Sequence, residues 1–300
     1  MTQIPHISVC ICTFRRTDLL TRLLECLAEQ ETAGRFTYSV VVVDNDQLRS
    51  AEAAVRRFAS ESSVSIRYCV EPQQNIALAR NTAIANSAGD FIAFIDDDEF
   101  PIKNWLLTLF QACEAYEADG VLGPVKPHFD EAPPKWLVKG KFYDRPSYPT
   151  GLVIDGKKGR TGNVLLKRLL FAKAGAQPFR PQFRTGEDQD FFTRMIELGH
   201  RFVWCDEAMA YEVVPRKRWE RRFMLRRALL RGASRIFHES CGPVDVIKSI
   251  VAVPIYVAAL PFALLFGFHR YMALLIKVCD HLGKLLALGN INPVQEPYVT

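Results

Sequence analysis

Hydrophobic positions in the first two thirds of the chain alternate between two spacings. Short runs rich in β-branched residues predict strands, and apolar residues at helical spacing between them predict helices. The predicted strands cover residues 7–13, 38–43, 65–70, 91–95 and 121–125. The predicted helices cover residues 19–27, 49–60, 76–87 and 103–118. This alternation predicts an α/β fold, with a mainly parallel twisted sheet flanked by helices.

The regular pattern stops between Gly123 and Gly162, where proline, glycine, lysine and aromatic residues dominate. Long ordered loops in compact domains commonly carry function, so we expect this segment to contribute to a site. Beyond it, the sequence predicts a strand over 163–166, a helix over 187–198 and a short strand over 202–204. Because the composition changes after Pro215, we expect one domain over residues 1–215 and a separate region over 216–300.

The region 216–300 joins a basic segment to an uncharged one. Residues 216–235 hold nine Lys or Arg against Glu220 alone, a net charge of +8, whereas the whole chain carries +5. Residues 249–268 carry no formal charge but contain Pro254, Pro261 and Gly267. Twenty uncharged residues are long enough to cross a bilayer, and the neighbouring basic residues suit anionic lipid headgroups.

We therefore predict a helical membrane-associating region over residues 216–300. A kinked span, a re-entrant hairpin and an interfacial helix all fit the uncharged run, and a buried core helix is the alternative. No nucleic-acid recognition fold accompanies the basic residues, so nucleic acid is not an expected partner.

Composition narrows the class of protein further. With 300 residues, 49% of them hydrophobic and 24% charged, the chain is typical of a globular protein rather than a disordered or fibrous one. The eight cysteines show no CxxC or zinc-type spacing, which favours a reduced, cytosolic body. Residues 1–8 lack the pattern of a secretory signal, so the catalytic part is expected in the cytoplasm.

Three polar clusters follow predicted strands. Residues 13–15 follow the first strand, 44–46 the second, and Asp96-Asp97-Asp98 the fourth. Ligands of open parallel sheets bind beyond the carboxyl ends of the strands, so these clusters should face one crevice. Adjacent carboxylates repel unless a cation neutralises them, and oxygen ligands suit Mg²⁺ or Mn²⁺ shared with a substrate diphosphate. A solvated acidic loop is the alternative explanation.

A second acidic cluster occupies residues 186–190, at the start of the predicted helix over 187–198. Carboxylates near a helix N-terminus are stabilised in the ionised form, so helix capping explains at least one of them. Another can act as a general base. The turn after the first strand lacks the glycine motifs of dinucleotide-binding and P-loop proteins, which disfavours NAD-dependent oxidoreductases and P-loop enzymes.

Together these motifs resemble family 2 glycosyltransferases, which have the GT-A nucleotide-diphospho-sugar-binding fold. Residues 7–13 and 41–44 resemble the family's first two strands, and residues 75–81 the helix that precedes its metal-binding strand. Residues 89–98 are similar to its Asp-x-Asp segment, and residues 186–188 to its catalytic Glu-Asp motif.

A narrower resemblance concerns exopolysaccharide glucosyltransferases of the succinoglycan ExoM type. It rests on four segments, which are residues 121–125, 134–136, 161–166 and 186–192. The resemblance to the family as a whole covers residues 6–235 and leaves the membrane tail out.

The resemblance implies metal-dependent, inverting transfer of a sugar from a UDP-sugar, with UDP-glucose as the expected donor. Asp188 would be the catalytic base, and Glu187 would orient the base or the acceptor. Asp96 and Asp98 would hold Mn²⁺ or Mg²⁺ with the donor diphosphate, whereas Asp97 would be a spectator. The implied nucleotide-sugar pocket consists of Thr13, Arg15, Asp44, Arg80, Asp96 and Asn163.

The implied acceptor is a lipid-linked or other oligosaccharide, used in exopolysaccharide or other surface-glycan synthesis at the cytoplasmic face of the inner membrane. Trp136 would stack on an acceptor sugar, although a Trp after two prolines can equally anchor its own loop.

The sequence departs from the family pattern at two positions. Tyr211 stands where relatives often carry His before a Glu-x-Val-Pro segment, and Ala77 stands where many carry Gly. A late His ligand therefore cannot be assumed, and the backbone near Ala77 is expected to differ. Two other functions stay open at this point, a sugar-phosphate nucleotidyltransferase and a noncatalytic membrane-bound scaffold of the same fold.

Overall fold

The computed structural model describes residues 4–183, 186–234, 242–291 and 294. Arg235, at the end of the basic segment, and Cys241 lie outside the described residues. The chain forms two compact units: unit 1 comprises residues 1–127 and 145–213, and unit 2 comprises 128–144 and 214–300. The second unit thus begins two residues before the predicted boundary and also takes in part of the loop region between Gly123 and Gly162.

Unit 1 is built on a seven-stranded sheet and a three-stranded sheet. The strands are β1 (His6–Thr13), β2 (Thr37–Asp44), β3 (Ile66–Val70), β4 (Phe91–Phe94), β5 (Glu99–Pro101), β6 (Gly120–Leu122), β7 (Val125–His128), β8 (Val164–Lys167), β9 (Phe202–Trp204) and β10 (Ala210–Val213). The large sheet has the order β3-β2-β1-β4-β8-β6-β9, and the small one β5-β10-β7.

The helices of unit 1 are α1 (Thr17–Ala28), α2 (Glu52–Glu61), α3 (Ile76–Ala85), α4 (Trp105–Ala115), α6 (Leu169–Ala174) and α7 (Glu187–Glu197). Those of unit 2 are α5 (Lys135–Lys139), α8 (Arg216–Trp219), α9 (Arg221–Ser234), α10 (Pro243–Leu265) and α11 (Phe268–Leu288). A short 3₁₀ turn covers Gly156–Lys158.

Strand β8 is antiparallel to both β4 and β6, and the other pairs in the large sheet are parallel. The predicted α/β fold with a mainly parallel sheet is therefore confirmed. Register determines where the polar clusters lie. Thr13 pairs with Asp44 at the carboxyl ends of β1 and β2, and β4 ends beside them at Phe94. Asp96 follows two residues later.

Alternating side chains divide the core of unit 1 into two layers. Val9 and Ile11 of β1 join one buried cluster together with α1, α2 and α4. Cys10, between them, joins the other cluster, to which α3, α6 and α7 contribute. This period of two is the geometry of a strand buried on both faces, and it explains the nearly continuous apolar runs of the sequence.

The predicted strand over 121–125 is wrong, because it divides into β6 and β7 of different sheets. The break falls at Gly123-Pro124. A Cβ atom at Gly123 would lie 2.3 Å from the carbonyl oxygen of Ala208, so only glycine fits there. Pro124 has no N–H to donate to a ladder.

Unit 2 is helical, as predicted, around a cluster that includes Leu137, Phe223, Met224 and Met272. Among the described residues, α10 is the one helix that is long and apolar enough to cross a membrane, and almost none of it is buried within the protein. The cysteines that the structure describes are free thiols.

Candidate active site

Asp97 is held by its own chain. Its Oδ2 accepts a hydrogen bond from the Thr13 hydroxyl at 2.8 Å, and its Oδ1 accepts one from Arg16 at 3.1 Å. Burial raises the pKa of Asp97 to about 6, although Arg16 opposes the shift. Since both oxygens already have partners, Asp97 fastens β1 to the acidic loop.

Asp96 is the most open carboxylate of the run. Its side chain is 43% exposed, against 7% for Asp97 and 9% for Asp98. Partial withdrawal from water raises the pKa of Asp96, and Arg80 counteracts this. Asp98 accepts a bond from Arg16 at 3.0 Å. Asp96 is therefore the carboxylate best placed to meet a cation brought in with a substrate.

Arg80 connects the two acidic motifs. This buried guanidinium forms a close ion pair with Glu187 through Nη1, and its Nη2 lies 3.8 Å from Oδ1 of Asp96. Burial lowers the pKa of Arg80, but Glu187, Asp96 and Asp188 outweigh it, so the pKa is raised overall. The Asp-x-Asp and Glu-Asp motifs, far apart in sequence, thus meet at one arginine.

Asp188 stands in the first turn of α7, directly after the Glu187 that pairs with Arg80. Its Oδ1 accepts the backbone N–H of Gln189 at 2.8 Å. Burial raises the pKa of Asp188 to about 6, and the negative charge of Glu187 adds to the shift. A carboxylate with a pKa near neutrality is suited to general base catalysis.

The residues predicted for the nucleotide differ in what they contact. Asp44 is fully buried, and its carboxylate accepts bonds from the backbone of Asp46 and Ala51 and from the Tyr68 hydroxyl, at 3.0, 2.8 and 2.8 Å. It therefore orders the loop after β2. Arg15, two residues after the carboxyl end of β1, has a positive φ of 54° and a half-exposed side chain paired with Asp46 at 2.9 Å.

Asn163 has a structural role. It is fully buried, its Nδ2 donates to the carbonyls of Pro124 and Ala208, both at 2.7 Å, and its Oδ1 accepts from Trp105 at 2.6 Å. These bonds use its donors and hold the sheet crossing at Gly123. The preceding Gly162 lies against the acidic cluster instead, since a Cβ there would be 3.0 Å from Oδ2 of Asp96.

A second charged group surrounds Glu99, the residue after the aspartate run. Glu99 in β5 pairs with Glu212 in β10, and Arg145 contacts both, closely with Glu212 and at 3.6 Å with Glu99. Burial and the negative charge of Asp96 raise the pKa of Glu99, although Arg145 opposes this. Arg145 thus neutralises two carboxylates that would otherwise repel each other across the strands.

Arg160 lies on the loop that leads to β8, with its guanidinium over the Trp204 ring at 5.1 Å. Its Nε and Nη2 atoms are buried and have no hydrogen-bond partner among the described residues. The same is true of the Oγ1 atom of Thr161. Arg145 and Asp188 are among the charges that act on this guanidinium. Buried donors without partners are costly, so Arg160 is suited to bind an anionic ligand group.

Trp136 belongs to unit 2 and packs in its aromatic cluster. Its ring meets Phe142 and Phe268 edge-on, at centroid distances of 5.6 and 5.3 Å. This packing gives Trp136 an anchoring contact, and its role toward an acceptor stays a prediction.

The carboxylates of the aspartate run are suited to bind a cation that a substrate also binds. Within the described ranges, no group of three or more His, Cys, Asp or Glu residues is placed to hold a metal ion. Mg²⁺-type sites commonly use one or two carboxylates together with substrate phosphates rather than a protein cage. Asp96, with Asp98 beside it, supplies such a partial set.

Comparison with known proteins identifies the family of this chain. Residues 8–170 match the sequence model of Glycosyl transferase family 2. This chain belongs to that family. It is 36% identical over 215 residues to the succinoglycan biosynthesis protein ExoM of Rhizobium meliloti (strain 1021), a match covering 71% of this chain and 68% of ExoM. It is also 24% identical over 248 residues to Escherichia coli chondroitin synthase, of which it spans 35%.

Solved structures of other glycosyltransferases share the fold. The mannosyltransferase PcManGT from Pyrobaculum calidifontis, in complex with GDP-Man and Mn²⁺, superposes with a TM-score of 0.64 at 20% identity, over 95% of this chain and 88% of that one. S. aureus TarS 1-349 in complex with UDP-GlcNAc gives 0.55 at 16% identity, over 96% and 93%. The family 2 chain therefore has a GT-A fold and is a glycosyltransferase.

The two departures from the family pattern have local explanations in this glycosyltransferase. Tyr211 stacks on Phe100 across the small sheet, with ring centroids 5.4 Å apart. Ala77 is fully buried, and its N–H donates to the side chain of Asn75, which caps α3. Helix α3 therefore begins regularly without a glycine at position 77.

Sequence reasoning missed Arg16, Glu99, Arg145, Arg160 and Glu212. Two signals were present. Glu99 extends the acidic run of residues 96–98, and Arg16 follows the predicted Thr13–Arg15 cluster. Arg145 and Glu212 meet only through tertiary folding, and the sequence contains no spacing that predicts their contact.

Proposed function

We propose that this glycosyltransferase carries out a metal-dependent, inverting transfer of glucose from UDP-glucose to a lipid-linked saccharide during exopolysaccharide synthesis. The proposal rests on the contacts of Arg80 with Asp96 and Glu187. These contacts bring the Asp-x-Asp motif, proposed to bind the leaving group, beside the Glu-Asp motif, proposed to contain the base. The similarity to the succinoglycan biosynthesis protein ExoM supports the choice of exopolysaccharide synthesis.

The proposed reaction is a single displacement. Asp188 takes the proton from an acceptor hydroxyl as that oxygen forms a bond to the anomeric carbon. The bond from the anomeric carbon to the diphosphate oxygen breaks on the opposite face, and its electron pair leaves with the nucleoside diphosphate. An α-linked donor therefore gives a β-linked product.

The other residues position and neutralise these groups. Burial raises the pKa of Asp188, and the negative charge of Glu187 adds to this although Arg80, its ion-pair partner, opposes it. Asp96 and Asp98 would hold Mn²⁺ or Mg²⁺, which when bound neutralises charge on the departing diphosphate. Thr13, Asp44 and Arg15 shape the nucleotide pocket, Asp44 by ordering its loop. Arg160 offers Nε and Nη2, which have no partner among the described residues, to an anionic group of the sugar donor or the acceptor.

The proposal is tested with a panel of sugar nucleotides, incubated with the full chain, membrane lipid extract and Mn²⁺ or Mg²⁺. We expect UDP-glucose to give a radiolabelled, lipid-soluble glycoside with a β linkage, and EDTA to stop its formation. Transfer from another sugar nucleotide would correct the donor. Release of pyrophosphate instead of UDP would identify a nucleotidyltransferase, and absence of turnover with every donor would favour a scaffold.

We expect kcat/KM to depend on pH through Asp188. A general base must be unprotonated, and the pKa of Asp188 is raised to about 6. Activity should therefore be constant above about pH 7 and fall with unit slope below about pH 6, since kcat/KM reports the free enzyme. Initial rates at saturating Mn²⁺, measured across this pH range, give the pH dependence of kcat/KM. A profile that is flat down to about pH 5 would contradict the assignment of the base.

The proposed location is the cytoplasmic face of the membrane, reached through α10. Ile255 and Phe262 of this helix are 57% and 65% exposed. Replacing both by Glu should reduce membrane binding more than tenfold, because each large apolar side chain that leaves water contributes about 1.5–3 kcal/mol. Flotation with phosphatidylcholine and phosphatidylglycerol vesicles measures the bound fraction of the native chain and of the variant.

Leu48→Glu is the matched control, because Leu48 is 73% exposed but lies in a loop of unit 1. This variant should float like the native chain. If the double Glu variant floats equally well, α10 is not the membrane contact.

A further inference from the structure

Helix α10 presents a broad apolar surface that the described residues leave uncovered. Its large exposed side chains include Ile247, Ile250, Ile255, Phe262 and Leu265. From Ile250 to its end at Leu265 the helix has no charged residue. Soluble proteins rarely expose contiguous apolar areas of this kind, and the basic residues of α8 and α9 point to an anionic lipid surface as the cover.

Helix α11 lies antiparallel to α10 along its length. Only Phe266 and Gly267 separate the two helices. Near the other end of the pair, the Ser249 hydroxyl is 2.9 Å from Nδ1 of His281, whose ring also lies 5.8 Å from that of Tyr256. Whatever position α10 takes in a membrane, α11 must take beside it.

Helix α11 does not have the composition of a membrane-crossing partner. It carries charged residues at both ends and in its middle: Arg270, Lys277, Asp280 and Lys284. Lys277, near the centre, is exposed. Charges at the centre of a lipid-facing helix are costly in hydrocarbon.

Helix α9 packs along another side of α11, from Phe268 to Gly283. At one end Arg221 lies over the Phe268 ring at 5.6 Å. At the other end the backbones touch, because a Cβ at Gly232 would be 1.9 Å from the Asp280 carbonyl oxygen, and Arg231 pairs with the Asp280 side chain. A Cβ at Gly283 would be 2.1 Å from the carbonyl oxygen of Leu229. The three helices therefore move as one layer.

From this layer we infer that α10 lies in the plane of one leaflet and does not cross the bilayer. If α10 stood upright across the membrane, α11 and the arginine-rich α9 would be carried through the hydrocarbon beside it. An in-plane α10 instead places its uncharged surface among the acyl chains and leaves α9 at the level of the headgroups. The inference rests on the proposed membrane association and specifies its geometry.

The two prolines inside α10 agree with a shallow position. Pro254 and Pro261 cannot donate to the carbonyl groups of Ile250 and Val257, which lose their helical partners. Water reaches such carbonyls near the headgroups but not at the centre of a bilayer. An in-plane helix tolerates both prolines without help from a neighbouring span.

Depth measurements separate the two geometries. A fluorescent amino acid is incorporated at Ile247, Ile255 or Phe262 of the full chain, bound to phosphatidylcholine and phosphatidylglycerol vesicles. Quenching is compared between lipids brominated near the headgroup and near the chain end. We expect all three positions to share one shallow depth. A span would instead shift the depth by about 1.5 Å per residue along the helix.

Labelling from outside the cell gives a second measurement. Phe266→Cys at the turn between α10 and α11 is treated with a membrane-impermeant maleimide in spheroplasts and in inside-out vesicles, with Lys248→Cys and the native chain for reference. We expect no added label on either variant in spheroplasts. Labelling of Phe266→Cys there, or a depth that progresses along α10, would overturn the in-plane geometry while membrane association stands. If the native chain fails to bind vesicles at all, both proposals fail.

Discussion

Replacing Asp188 by Asn is expected to abolish sugar transfer while leaving donor binding intact. The substitution removes the proton acceptor but keeps the size of the side chain, and the Arg80–Glu187 ion pair next to it does not depend on this carboxylate. Loss of a general base lowers kcat by on the order of 10²–10⁴. Single-turnover transfer measures the chemical step, and calorimetry with UDP and Mn²⁺ measures binding.

Asp190→Asn is the matched control for this variant. Asp190 stands half a turn further along α7, where it pairs with Arg180 at 3.1 Å and Arg194 at 2.9 Å. Those contacts fasten the helix, so we expect Asp190→Asn to lower the melting temperature and to keep most of kcat. If Asp188→Asn retained full activity, or if Asp190→Asn were the inactive variant, Asp188 would not be the base.

Much of the fold follows from the sequence because it depends on local periodicity. The alternation that divides Val9, Cys10 and Ile11 between two core layers also makes the segment recognisable as a strand. The prediction failed at residues 121–125, where an apolar run continues across a change of sheet. Such a change depends on the close approach of Ala208 to Gly123, which no local pattern reports.

The candidate site was predictable to the extent that its residues lie at strand ends or in short motifs. Thr13, Asp96 and Asp188 were predicted in this way, and their roles stay predictions. The contacts that distinguish the three neighbouring aspartates were not predictable, because Arg16 and Arg80 reach them through tertiary folding. The bonds of the Asn163 side chain to the carbonyls of Pro124 and Ala208 were not predictable either, and its contact with a sugar stays a prediction.

Specific partners give the aspartates of the run different roles. Thr13 and Arg16 occupy both oxygens of Asp97, whereas Asp96 keeps a side chain that is 43% exposed and faces Arg80. A cation delivered with a diphosphate therefore meets Asp96 first. This difference makes the assignment of Asp96 testable, because the same substitution should weaken the Mn²⁺ response at Asp96 and leave it unchanged at Asp97.

Asp96→Asn should lower kcat/KM by on the order of 10²–10³, since several kcal/mol of metal-dependent stabilisation are lost and each 1.4 kcal/mol is a factor of ten. The variant should also need more Mn²⁺ for half-maximal rate.

Asp97→Asn should keep its Mn²⁺ response. Its asparagine still accepts a bond from Thr13 or Arg16, and the substitution removes a charge that burial disfavours, as the pKa of about 6 shows. Mn²⁺ titrations of the transfer rate, with thermal melting to verify folding, compare the two. Equal loss of Mn²⁺ response in both variants would mean that the acidic run acts through its total charge. Asp96 would then not be the specific metal ligand.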